Sequence, residues 1–81
     1  MEILELINIG SRQLKDKNIS SHRLDSEILL SKALNKTREE LLINVNQKID
    51  STNVNHFNSL IFRRSSKEPI AYILKEKEFW S

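Results

Sequence analysis

A single glycine, Gly10, and a single proline, Pro69, punctuate 81 residues that carry 21 leucines and isoleucines. So few chain breakers leave little material for repeated tight turns, so the expected fold is all-α, with helices joined by short polar loops. The length allows one domain, which by surface scaling exposes roughly 5,000 Å² folded against about 13,800 Å² unfolded. The core must be thin. Leu, Ile, Val and Phe still make 26 of the 81 residues, enough to keep the chain out of the disordered class. There is no cysteine, which excludes a disulfide framework and a thiolate zinc site, and two lone histidines, His22 and His56, do not replace one.

Thirteen basic against eleven acidic side chains give a net charge of +2, too weak to imply a nucleic-acid binder without a concentrated patch. The first residues lack the basic and apolar regions of a signal peptide, and the longest apolar run, residues 70–74, is too short to cross a bilayer. The expected compartment is the cytosol.

Apolar spacing predicts five helices. Ile3, Ile7, Gly10 and Leu14 form the stripe of a first helix over about 2–15, in which Gly10 costs about 1 kcal/mol of propensity and implies close approach of a neighbouring helix. A second helix spans about 21–34, with a serine N-cap from Ser20 or Ser21. Its apolar set, Leu24, Ile28, Leu29, Leu30, Ala33 and Leu34, wraps most of the axis, which marks it as central. After an Asn35-Lys36 turn, Thr37 and Glu40 have capping-box spacing ahead of a short helix over 38–45. Residues 44–48 read as a polar connection. Ser51 or Thr52 then caps a fourth helix, built on Val54, Phe57, Leu60 and Ile61 and running to about 66, and Pro69 suits the first position of a fifth over 69–74. Glu78, Phe79 and Trp80 look like the start of a strand, and the adjacent aromatics lead us to expect a longer parent protein.

No constellation carries catalysis. One glycine cannot build a phosphate loop or dinucleotide fingerprint, and no serine sits in a nucleophile elbow. Both histidines read as solvated, and Asp25, Glu27, Glu39 and Glu40 as charges favoured at helix starts. Positive charge concentrates in one place, Arg63, Arg64 and Lys67 near the end of the fourth helix. These are the candidate partner-binding residues. Three readings are open: cations that stabilise a helix C-terminus, a docking surface for an acidic or phosphate-bearing partner, or an arginine turned inward to pair with Asp25 or Glu27.

Two segments add to this. Arg23-Leu24-Asp25-Ser26-Glu27-Ile28-Leu29-Leu30, continuing through Asn35-Lys36-Thr37-Arg38, resembles the R-x-D-A-E-x-L-L…G-x-(S/T)-R segment of peptide chain release factor glutamine methyltransferases, the HemK/PrmC family. Arg63-Arg64, Glu68-Pro69-Ile70-Ala71-Tyr72-Ile73-Leu74 and Glu78-Phe79-Trp80-Ser81 resemble that family's R-R…E-P-x-A-Y-I-x-G-x-x-E-F-W-(S/G) pattern at the junction of its two domains. The resemblance implies a helical substrate-recognition domain over residues 1–74. Residues 75–81 would begin a β-hairpin linker to a Rossmann-like domain that these residues do not contain. The implied parent enzyme uses S-adenosylmethionine to methylate the side-chain nitrogen of the glutamine in the release factor's Gly-Gly-Gln tripeptide, through an Asn-Pro-Pro-Tyr motif.

Neither that motif nor a cofactor loop is present, so the resemblance implies no catalytic, cofactor-binding or metal-binding residue here. The implied partner is a peptide chain release factor, with no membrane, no direct nucleic acid and a monomeric state expected. Two departures stand out: Lys75 occupies a position where the family has Gly, and the Asn35-Lys36 turn also lacks it, so any left-handed backbone there falls to a non-glycine residue. Asn35 adopts that conformation readily. The alternative class is a stand-alone helical adaptor that binds protein or nucleic acid.

Overall fold

The computed structural model describes residues 1–75, which form α1 (Ile3–Asp16), α2 (His22–Leu34), α3 (Arg38–Ile43), α4 (Ser51–Ser65) and α5 (Ile70–Lys75). The all-α expectation holds. α2 packs against each of the other four helices, as a central helix must, and α4 also packs against α1 and α5. The core joins Ile3, Leu6, Ile7 and Leu14 of α1 to Leu29, Leu30 and Ala33 of α2, with Leu41, Phe57, Leu60, Ile61 and Ile73 from the remaining helices.

Gly10 lies where three helices meet. A Cβ there would come within 2.6 Å of Ser26 Oγ, 2.8 Å of Phe57 Cζ and 2.9 Å of Ile61 Cδ1, so only glycine lets α1, α2 and α4 approach this closely. Ser26 completes the contact by donating its hydroxyl to the Ile7 carbonyl at 2.8 Å. The small side chain is chosen by space, and its polar atom is satisfied inside the core.

Burial on α2 differs from the all-round pattern expected. Leu24 is exposed and Ile28 half-buried, while Asp25, Ser26 and Glu27 are buried beside Leu29, Leu30 and Ala33. The inward face admits these polar groups because each finds a partner, and Leu24 and Ile28 are left as an outward apolar ridge. The Ser21 cap also works differently: its hydroxyl donates to Asp25 Oδ2 at 2.8 Å instead of accepting from the helix backbone.

Residues 44–49 are more than a polar connection. The Ile3 and Leu4 backbone N–H groups donate to the Gln47 and Val45 carbonyls, each at 3.0 Å, and the Ile49 N–H donates to the Met1 carbonyl at 2.8 Å. An isolated antiparallel bridge pairs Glu2 with Lys48, and Ile49 is buried. The first free donors of α1 are therefore met by a strap from the far side of the sequence.

Three helices end in one way. Past α1, Asn18 and Ile19 donate to the Lys15 and Leu14 carbonyls; past α2, Asn35 and Lys36 donate to Lys32 and Ser31; past α4, Lys67 and Glu68 donate to Arg64 and Arg63. This is the Schellman arrangement, and its left-handed residue is Asn18 (φ 64°), Asn35 (φ 57°) or Lys67 (φ 75°). Asn35 was expected in that role. Lysine there costs about 1–2 kcal/mol, partly offset in glycine by chain entropy, so Lys67→Gly is expected to raise stability by about 0.5–1 kcal/mol. The urea midpoint measures it. A fall would show that the bond from Lys67 Nζ to the Lys17 carbonyl outweighs the backbone strain.

The Thr37 cap forms as spaced, with the Glu40 N–H donating to Thr37 Oγ1 at 3.1 Å and the Thr37 N–H donating to Glu40 Oε1 at 2.8 Å. Elsewhere the caps shift by a residue. Asp50, not Ser51 or Thr52, flanks α4, and Pro69 precedes α5, its carbonyl accepting from the Tyr72 and Ile73 N–H groups. Lys75 is the last residue of α5 and is not left-handed. The strand expected from Glu78 onward lies outside the described residues.

Candidate functional site

The basic cluster at the end of α4 divides into three environments. Arg64 is turned inward: its Nε donates to Asp25 Oδ2 at 2.9 Å and its Nη1 to the Glu68 carbonyl at 3.1 Å. Its side chain is 19% exposed and that of Asp25 5%. Arg63 pairs with Glu68, Nε to Oε1 at 2.9 Å and Nη2 to Oε2. Lys67 is exposed and its Nζ donates to the Lys17 carbonyl. Proximity in sequence thus puts one of the three candidates in a buried pair and two at the rim.

A second cluster centres on Glu27, read from the sequence as helix-start charge or as a partner for Arg63 or Arg64. Glu27 Oε2 accepts from Arg23 Nε at 3.0 Å, and Oε1 accepts from Arg38 Nη2 at 2.8 Å and Nε at 3.2 Å. Arg23 Nη1 also donates to Asn8 Oδ1 on α1 at 2.8 Å. Two guanidiniums therefore share one carboxylate, with side-chain exposures of 49% for Arg23 and 43% for Arg38 against 10% for Glu27. The i,i+4 spacing of Arg23 and Glu27 was a legible signal. Arg38 reaches the same carboxylate only because the left-handed turn at Asn35 folds α3 back along α2.

Burial raises the Glu27 carboxyl, and the hydrogen bonds and charges of Arg38 and Arg23 more than offset it, so Glu27 titrates below its ordinary value of 4.5. The Arg63 hydrogen bond likewise lowers Glu68, and the Thr37 backbone N–H lowers Glu40. A carboxylate lowered by folding contributes stability that is complete above its unfolded value and is lost as pH falls through the folded one. Unfolding free energy should therefore decline as pH drops below 4.5, and Glu27→Gln should flatten part of that decline. Acid titration of the denaturation midpoint checks this. An unchanged slope in the variant would remove Glu27 from the acid response.

His22 Nδ1 lies 2.7 Å from Ser11 Oγ, and His56 is exposed on α4. Among the described residues no group of three or more His, Cys, Asp or Glu side chains could hold a metal ion, and no helix is long and apolar enough to cross a membrane. The described surface offers guanidinium–carboxylate pairs, exposed apolar side chains and a lysine.

Comparison with known proteins gives these surfaces a context. The family description that matches is the PrmC N-terminal domain, over residues 5–74. A release factor glutamine methyltransferase of Leptospira interrogans is 39% identical over 98% of this chain and 28% of its own length. One from Buchnera aphidicola subsp. Baizongia pistaciae is 42% identical over 100% of this chain and 29% of its own. A bifunctional methyltransferase of Rickettsia felis is 39% identical over 98% of this chain and 15% of its own. The chain thus spans less than a third of each relative. No solved structure gives a significant match. With five helices among its described residues and a match that runs through nearly all of them, the chain belongs to the PrmC N-terminal domain family.

Proposed function

We propose that the chain is the release-factor-recognition domain of an S-adenosylmethionine-dependent methyltransferase that modifies the Gly-Gly-Gln glutamine of peptide chain release factors. The observation that carries this is the full-length match to proteins named release factor glutamine methyltransferase, of which the chain spans little more than a quarter. Cofactor binding and methyl transfer belong to the remainder of such a protein, and the helical domain over 1–74 grips the substrate beside it, with 75–81 leading into the linker. The parent acts in the cytosol as a monomer.

Arg63 and Lys67, on the rim at the end of α4, raise the rate of encounter with the release factor by steering, while Arg64 holds the fold. The test is association of the 81-residue chain with a purified release factor, followed by calorimetry and by stopped-flow at low and high salt. Saturable binding is expected, with Arg63→Gln/Lys67→Gln slowing association several-fold at low salt and little at high salt. A folded chain that binds no release factor would overturn the recognition role.

A further inference from the structure

The ion pairs of the described surface do not balance equally. Arg64 has an anion of its own in Asp25, and Arg63 has one in Glu68. At Glu27 two guanidiniums meet one carboxylate, which leaves one positive charge in excess. Both guanidiniums are held in place by the buried carboxylate they share, yet each side chain is nearly half exposed. They are oriented in advance, so a second carboxylate arriving from outside orders little more side chain on binding.

The neighbouring surface is apolar. On α2 the pair Arg23 and Glu27 occupies one i,i+4 column, and Leu24 and Ile28 occupy the next. Leu24 is 45% exposed and Ile28 half-buried, on the central helix of the bundle, where the other large aliphatic side chains turn inward. An apolar ridge flanked by an unbalanced arginine pair suits a protein segment that presents an aliphatic or aromatic side chain beside a carboxylate. It suits nucleic acid poorly. A phosphate backbone calls for a longer run of cations, and the chain carries a net charge of only +2.

We infer that the outward ridge of α2, Leu24 and Ile28 together with the Arg23–Glu27–Arg38 cluster, is the contact surface on which an acidic, apolar-bearing segment of the release factor docks. This rests on the recognition role proposed above and adds the face and the chemistry: rim cations at α4 set the encounter rate, and the α2 ridge sets the lifetime of the complex.

Three forms of the chain decide it, each first shown to fold by circular dichroism: unaltered, Leu24→Glu, and Arg23→Gln/Arg38→Gln. Leu24 is exposed, so Leu24→Glu keeps the fold even where the double arginine variant, which leaves Glu27 without its cations, does not. Release factor dissociation is expected to speed up about tenfold or more in each folded variant, with association changed less, and the double variant should bind with a weaker salt dependence. Release factor binding by a folded Leu24→Glu chain at the unaltered affinity would overturn the docking face while leaving the recognition role intact. Failure of the unaltered, folded chain to bind release factor would overturn both. A single-stranded RNA oligonucleotide is the further probe: RNA binding that is lost in Arg23→Gln/Arg38→Gln, with release factor binding unmoved, would show a phosphate site and overturn the inference.

Discussion

Phe57→Ala is expected to cost about 3–5 kcal/mol, a large share of the 5–15 kcal/mol that ordinarily separates folded from unfolded domains. Phe57 is fully buried, and its ring tip lies against the backbone of α1 at Gly10, so the ring fills the junction of α1, α2 and α4. Truncation removes its buried surface and leaves a cavity that three helices cannot close independently. The same geometry predicts coupling. Gly10→Ala alone gains up to about 1 kcal/mol of helix propensity but forces a methyl against Ser26 Oγ, Phe57 Cζ and Ile61 Cδ1, and overpacking of this kind costs about 1–3 kcal/mol. In a Phe57→Ala background one of the three obstacles is gone. Gly10→Ala should then be less damaging than in the unaltered chain, and a double-mutant cycle in urea measures the difference. Additive changes would show that Ser26 and Ile61 alone exclude the methyl.

These effects were legible to different degrees in the sequence. Helix positions follow from i,i+3 and i,i+4 spacing, which is local, and the interior Gly10 carried its own message because a helix keeps a costly residue only where space demands it. Asn35 was legible for a similar reason, since few residue types tolerate the left-handed conformation. The strap over residues 44–49 was hidden, because its polar side chains describe its outer face while its backbone serves the start of α1 more than forty residues earlier. Lys67 was equally hidden. Nothing in a lysine marks it for a positive φ, and the conformation is imposed by the end of α4 and the placement of α5. At the candidate site, sequence neighbours suggested one basic cluster. Folding separates Arg64 from Arg63 and Lys67, and brings Arg38 to Arg23 across a turn.

The segment that resembles the methyltransferase family is, in the folded chain, largely a set of ionic connections. Arg23, Asp25 and Glu27 alternate along the start of α2, and their partners come from α1, α3 and α4. Asp25 ties the central helix to the end of α4 and Glu27 ties it to α3, so two adjacent turns of one helix set the position of two others. The exposed side of this arrangement is the surface proposed above for docking.

The Asp25–Arg64 pair supplies the second large effect. It links residues 39 apart in sequence, and the carboxylate, 5% exposed, accepts among the described residues from Arg64 Nε and the Ser21 hydroxyl. Arg64→Gln removes the cation and leaves a desolvated charge with one neutral donor, a change that costs about 3–5 kcal/mol in comparable buried pairs. The position of Asp25 in the first turn of α2, where the helix dipole favours an anion, places the expected loss toward the lower end. Two comparisons make the cause identifiable. Arg63→Gln breaks a Glu68 pair whose side chains are 28% and 30% exposed, and the loss of that pair should itself cost no more than about 1 kcal/mol. Arg64→Gln/Asp25→Asn removes the stranded charge as well and should recover part of the loss, since the penalty arises from an uncompensated carboxylate and not from the missing attraction alone. Urea denaturation of the three variants reads all of this. Equal midpoints for Arg64→Gln and Arg63→Gln would show that Asp25 does not depend on Arg64. Under conditions where Arg64→Gln remains folded, the release factor affinity proposed above should match that of the unaltered chain, because Arg64 is engaged with Asp25 and the Glu68 carbonyl and is not part of the proposed ridge.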